Sequence, residues 1–169
     1  MSTAAHVIVE SPIGPLTLVR DDTGLTGLYY PGHWTRPDRH LFGPEVDANV
    51  DHGFDEAIAQ LAEYFAGQRR EFDLPLNPLG SDIARRVWQL LTEIPYGQTI
   101  TYGELASKVG ISARDVGGIV GQNPLSILIA CHRVVGAGGK LAGYAGGLDR
   151  KRYLLELEQA IPAAAATLW

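Results

Sequence analysis

Residues 74–80, Leu-Pro-Leu-Asn-Pro-Leu-Gly, interrupt the chain more sharply than any other stretch. Pro75 and Pro78 lack the N–H that a helix interior or a central strand needs. The segment therefore predicts a linker, with one domain over residues 1–78 and a second over residues 79–169. Before it, residues 6–10, 16–20 and 24–30 are short β-prone runs. Ser11-Pro12-Ile13-Gly14-Pro15 supplies a turn between the first two. These runs predict a small antiparallel sheet, and residues 31–44 read as an irregular loop. Ile58, Leu61, Ala62 and Phe65 recur at helical spacing over residues 54–65, with Gly67 as the stop.

Composition narrows the function classes. With 46% hydrophobic and 20% charged residues, the 169-residue chain has ordinary globular make-up. No apolar run reaches the roughly 18 residues of a membrane span, and no secretory signal opens the chain. Cys131 is the one cysteine. An internal disulfide and a four-cysteine zinc site are both excluded, and a reducing, cytoplasmic setting is expected. The net charge of −5 argues at first against nucleic acid, but its distribution does not. Residues 1–80 carry a net −7 and residues 81–158 a net +2. A partner that touches only the second half meets no acidic barrier.

That half reads as helical. Ser81 can cap a helix running to residue 94, with Ile83, Val87, Leu90 and Leu91 on one face. Pro95-Tyr96-Gly97 stops it. Thr101 can cap residues 102–109, ended by Gly110, and Ser112 can cap residues 113–120. Two short helices across a glycine turn suggest a helix-turn-helix. In the second of them Ala113, Gly117 and Gly118 are small and Arg114 stands in the first turn. A solvated arginine beside a tightly packed helix is one reading. A smooth face that presses into a nucleic-acid groove is the other.

Cys131 follows the apolar run Ile127-Leu128-Ile129 and precedes His132 and Arg133. A cysteine ending such a run is by default an inert core thiol. An imidazole beside it can take its proton. Adjacent strand residues point to opposite faces, so the pair needs a turn or a bridging water. Glycines 136, 138, 139 and 143 then surround Tyr144. A last helix over residues 148–158 packs Leu154, Leu155 and Leu157 inward, with Glu158 ordinarily a solvated carboxylate.

Cys131-His132-Arg133-Val134 resembles the active-site motif of the O6-alkylguanine-DNA alkyltransferases, the methylated-DNA–protein-cysteine methyltransferases. The similarity extends through both halves: Ser11-Pro12-Ile13-Gly14-Pro15-Leu16, Arg86-Val87-Trp88, Ile94-Pro95-Tyr96-Gly97, Thr101-Tyr102-Gly103-Glu104-Leu105-Ala106, Arg114-Asp115-Val116-Gly117, Asn123-Pro124, Gly143-Tyr144-Ala145-Gly146-Gly147 and Leu154-Leu155-Glu156-Leu157-Glu158. The resemblance implies an α+β fold: a small N-terminal domain with antiparallel sheet and helix, and a mostly helical C-terminal domain carrying a helix-turn-helix and the active-site cysteine. It implies direct-reversal repair by a stoichiometric methyltransferase. Double-stranded DNA containing O6-alkylguanine is bound through its minor groove, the base is flipped out, and the alkyl group passes irreversibly to Cys131.

By the same resemblance, Cys131 is the nucleophile, reacting as thiolate, and His132 its base through a water. Glu158 orients His132, Asn123 braces the turn, and Tyr102 donates to the departing guanine. The carbonyls of Cys131 and Val134 accept from the guanine amine, and Tyr144 walls the pocket. Arg114 fills the gap left by the flipped base, while Ala113, Gly117 and Gly118 let the helix enter the groove. No cofactor or metal is implied. The cysteines of the N-terminal zinc site that some relatives carry are missing, and His33, His40 and His52 are expected at the surface. The protein is expected to act as a monomer, with cooperative binding along DNA left open.

Three positions depart from the family pattern. Ala130 replaces the usual proline before the nucleophile, and Ala145 and Ser126 stand where some relatives carry serine and proline. Ala130 is expected to alter rate or stability with the chemistry retained, while Ala145 and Ser126 bear on alkyl-group preference and inhibitor sensitivity. Three alternatives stay open: a non-catalytic alkyltransferase-like protein that recruits other repair factors, a Cys-His hydrolase, and a DNA-binding regulator. The regulator would leave Cys131 and Glu158 without a role.

Overall fold

The computed structural model describes residues 4–33, 37 and 39–161. Strands β1 (Ala5–Val9), β2 (Leu16–Asp21) and β3 (Gly24–Tyr29) pair antiparallel in sequence order. Val7, Leu16, Leu18, Leu25 and Leu28 are buried beneath them. Of the expected loop, residues 34–36 and 38 lie outside the described residues, and Arg39–Leu41 forms a 3-10 turn. His33 contradicts its expected surface place. It is 4% exposed, its ring lies parallel to that of Tyr30, and its Nδ1 accepts the Tyr30 N–H at 3.3 Å.

Helix α1 (Asp55–Phe65) ends as expected near Gly67, whose φ of +75° suits the residue after the cap. Gly67 N–H donates to Tyr64 O and Gln68 N–H to Glu63 O, the paired bonds of a Schellman stop. Its buried face differs from the expected one. Ala57, Gln60, Leu61 and Tyr64 point inward, whereas Ala62 is exposed and Ile58 and Phe65 are half-buried. Gln60 is accommodated because its amide bonds both the N–H and the C=O of Asp73. Polar satisfaction has outweighed hydrophobicity there.

The proline-rich segment is not free. Leu25 N–H donates to Pro75 O and Asn77 N–H to Leu25 O, both at 2.8 Å, so it runs along the edge of β3. Beyond it come α2 (Asp82–Thr92), β4 (Ile100–Thr101), α3 (Tyr102–Val109), α4 (Ala113–Gly121), β5 (Val134–Val135) and α5 (Leu148–Leu157). The inward face of α2 is Ala84, Val87, Trp88 and Leu91. Ile83, expected there, is 38% exposed, and Leu90 is half-buried. The Trp88 ring takes the centre of the stripe, and its indole N–H donates to Ile119 O at 3.0 Å, fixing α2 against α4. Thr101 and Glu104 form a reciprocal capping box at the start of α3. Gly110, at φ +85°, ends that helix, and Ser112 caps α4 two residues on. The helix-turn-helix therefore follows the sequence expectation.

One hydrophobic core runs through both halves, from Val7 and Leu18 to Val116 and Leu154. Leu28 of β3 also donates its N–H to Pro124 O at 2.8 Å. The sheet thus braces the segment that leads to Cys131. Among the described residues no helix is long and apolar enough to cross a membrane.

Candidate active site

Two tight turns deliver the cysteine. Leu128 N–H donates to Ser126 O at 2.8 Å, closing a γ-turn centred on Ile127 at φ +72°. A β-branched residue in that region is strained by about 1–3 kcal/mol and persists only where its surroundings hold it. Asn123 does the holding: its Nδ2 donates to Ile129 O at 2.9 Å and its Oδ1 accepts from Leu125 N–H at 3.0 Å. Cys131 N–H then donates to Ile129 O at 2.7 Å, with Ala130 at φ −75° and ψ 58°, an inverse γ-turn. Cys131–Arg133 is a single 3-10 turn. The turn that adjacent Cys and His side chains require is therefore present.

The turn divides its side chains. Cys131 opens onto a pocket lined also by Tyr102, Gly117, Asn123, Ser126, Tyr144 and Ala145. Its free volume is about 40 Å³, room for a few waters. Burial pushes the Cys131 thiol up, opposed chiefly by the Asn123 side chain and the Lys151 charge. Burial thus opposes the thiolate form of Cys131, and the Lys151 charge favours it. Ser126 Oγ is buried with no hydrogen-bond partner among the described residues.

His132 lies on the other side, fully buried, with Nε2 2.7 Å from Glu158 Oε2. Glu158, at the C-cap of α5, is 1% exposed rather than solvated. It accepts from His132, from Arg133 Nε at 2.7 Å and Nη2 at 3.0 Å, and from the Tyr64 hydroxyl at 2.5 Å. Burial alone would raise the Glu158 carboxyl, but the bonds and charges of His132 and Arg133 hold it down at about 2. Burial pushes His132 below the ordinary imidazole range, against the pull of Glu158. A neutral ring facing an ionised carboxylate must donate from Nε2. Nδ1, which bonds no described protein group, then carries the lone pair.

Tyr102, at the first position of α3, donates its hydroxyl to Ala142 O at 3.1 Å. Burial, with the Cys131 charge second, pushes it up to about 12, so it holds its proton at neutral pH. The Tyr144 hydroxyl lies 2.6 Å from that of Tyr30, which the N-terminal half contributes. Val134 is fully buried and does not line the pocket. Its carbonyl accepts from Lys151 Nζ at 2.6 Å, and Cys131 O accepts from Val134 N–H. Each keeps a second lone pair.

On α4, Ala113, Arg114 and Gly118 are exposed, outside the pocket. A methyl group at Gly118 would meet nothing within 4 Å, so the fold itself does not demand glycine there. Gly117 faces the Tyr102 ring and lines the pocket.

Sequence reasoning gave no role to Arg133, Lys151, Tyr64 or Tyr30. Lys151 is fully buried and donates to Val134, Ala142 and Gly143 carbonyls at 2.6, 3.0 and 3.1 Å. Its Nζ also stands 5.7 Å from the Tyr102 ring centre. Desolvation lowers it to about 8. The signal was available: Lys151, Leu154, Leu155 and Glu158 share the i, i+3, i+4, i+7 spacing of one helix face. No cluster of three or more metal-ligating side chains occurs among the described residues.

Two family profiles match the chain. Residues 6–78 match the 6-O-methylguanine DNA methyltransferase ribonuclease-like domain, and residues 82–160 the DNA binding domain of the same enzymes. A methylated-DNA–protein-cysteine methyltransferase of Mycobacterium bovis is 46% identical over 163 residues, 95% of this chain and 96% of that one. One from Methanosarcina acetivorans is 43% identical, covering 90% and 97%. Among solved structures, Mycobacterium tuberculosis OGT in complex with DNA is 45% identical with a TM-score of 0.84, covering 92% of this chain and 93% of that one.

Proposed function

The chain belongs to the methylated-DNA–protein-cysteine methyltransferase family, and on that premise we propose how its own residues perform the repair. It is a DNA-repair methyltransferase that works by direct reversal. Residues 79–169 bind duplex DNA and carry the reaction, and residues 1–78 support them. The face of α4 formed by Ala113, Gly117 and Gly118 enters the minor groove, with Arg114 filling the space of the extruded base. The base enters beside Tyr144 and Ala145. Its amine takes the free lone pairs of the Cys131 and Val134 carbonyls, and Ser126 Oγ meets its edge.

The thiol proton passes through a water to His132 Nδ1, and Glu158 stabilises the imidazolium. Sγ bonds to the alkyl carbon as the carbon–O6 bond breaks. The electron pair stays on the guanine, which takes a proton from Tyr102. His132 returns its proton through solvent to Tyr102, so charge and atoms balance. The thioether has no route back, and each molecule acts once. A reducing cytoplasm suits a lone reactive thiol.

The observation that carries this reading is that Cys131 opens onto the pocket while its neighbour His132 is held from behind by Glu158. Mixing the protein with duplex DNA containing O6-methylguanine should raise its intact mass by one methyl group. Cys131→Ser should show no gain. Lesion binding without any mass gain in the unaltered protein would instead identify a non-catalytic recruiter.

A further inference from the structure

We infer that Tyr64, a residue of the N-terminal half, is a positioning residue for the reaction, its hydroxyl setting how much of the Glu158 charge reaches His132. The inference rests on the reading of His132 as the base. Tyr64 lies on α1, far from Cys131 in sequence and outside its pocket. Its ring is fully buried, packed against Phe65, Phe72 and Tyr96. Its hydroxyl donates to Oε2 of Glu158, the same oxygen that accepts from His132. Burial, then the Glu158 charge, keeps the phenol protonated well above its ordinary range, so it can only donate.

Three donors, His132, Tyr64 and Arg133 Nη2, share one carboxylate oxygen and compete for its electron density. Each bond to the ionised form lowers the carboxylate's basicity and weakens its hold on the other donors. Arg133 already takes both oxygens. Among the described residues, Tyr64 adds the one hydrogen bond to Glu158 that comes from outside the C-terminal half. The groups around His132 are Glu158, Arg133, Lys151, Cys131 and Tyr64, with Tyr96 beneath the Arg133 guanidinium. Two cations already disfavour a charged imidazole. Tyr64 tips the balance the same way, by drawing on the oxygen that holds His132.

The test uses full-length protein labelled with 15N-histidine. The hydroxyl is removed in Tyr64→Phe and made a stronger donor by 3-fluorotyrosine at position 64. Two quantities are followed: the chemical shift of the His132 Nε2 proton without DNA, and the acid limb of single-turnover methyl transfer. In Tyr64→Phe the proton should move downfield and the limb should rise by about half a pH unit, as Glu158 tightens on His132. In the fluorinated protein both should move the opposite way. Opposite signs are the signature of donor strength, because a merely structural role would displace both variants alike. An unmoved proton, or the same direction in both, overturns the inference. Failure of the unaltered protein to accept methyl overturns the proposed function, while the proton shift still decides the coupling. Should Tyr64→Phe not fold, the fluorinated protein alone decides by its sign.

Discussion

The two sides of the 131–134 turn treat a buried cation in opposite ways. On the His132 side, Arg133 meets a carboxylate through two bonds and passes a third to Ile94 O at 2.6 Å. On the Cys131 side, Lys151 meets no carboxylate, only three carbonyl oxygens. The first charge is spent on a partner and fixes structure. The second is held by dipoles and keeps a positive field near the sulfur and the Tyr102 ring. Burying a charge costs several kcal/mol unless it is paired. An unneutralised lysine in such a place therefore points to the chemistry rather than to stability.

Removing Arg133 breaks this comparison most severely. Arg133→Met leaves Glu158 buried without its bidentate partner and Ile94 O without a donor. Stability should fall by about 3–5 kcal/mol in urea unfolding. The double variant Arg133→Met/Glu158→Leu should be milder than the sum of the two single changes, since no orphan charge remains.

The two sides were not equally legible in the sequence. Cys131, Tyr102, Asn123 and the caps Thr101 and Ser112 could be placed, because motif and spacing fix them locally. Glu158 is placed by the family resemblance, and Lys151 could have been placed with it, since both interrupt the apolar stripe of Leu154 and Leu155. Tyr64 and Tyr30 could not. Their partners, Glu158 and Tyr144, lie 94 and 114 residues away. Only packing of the two halves creates those contacts. Hydropathy also misled on α1, where Ile58 and Phe65 outrank the Gln60 and Tyr64 that are actually buried.

Acid should separate the sides next. Glu158 has its folded value lowered from 4.5 to about 2, so its contribution is complete above 4.5 and lost as pH falls through that window. That contribution is on the order of 3 kcal/mol. His132, pushed below 6.5, and His33, lowered to about 4, erode stability earlier, as pH falls below 6.5. Urea midpoints taken between pH 7 and pH 3 should decline slowly at first and then steeply, and Glu158→Gln should flatten the steep part. Lys151 works in the alkaline range. Its folded value is about 8 against 10.5, so the unfolded chain binds more protons between them and stability rises with pH there.

Lys151→Met should abolish that alkaline rise and act on the sulfur. Without the cation the thiol loses one of the groups that favour its thiolate. Alkylation of Cys131 by iodoacetamide should need a pH about one unit higher, roughly a tenfold loss of rate at neutral pH. The His132 Nε2 proton should move far less than in Tyr64→Phe. Equal movement of both reporters would mean that the two sides are one network.

The smallest expected effect concerns the backbone on which both sides hang. Ala130 has φ −75°, within the range that proline imposes, and no described group accepts its N–H. Ile129 before it is already part of a β-bridge, a conformation that a following proline favours. Ala130→Pro should therefore raise stability by about 0.5 kcal/mol, by restricting the unfolded chain. The urea midpoint should rise at constant slope, with the Cys131 alkylation profile unmoved. A lower midpoint, or a displaced profile, would show that alanine permits a path proline cannot follow. The separation of the two sides would then depend on that path rather than on the side chains that hold each of them.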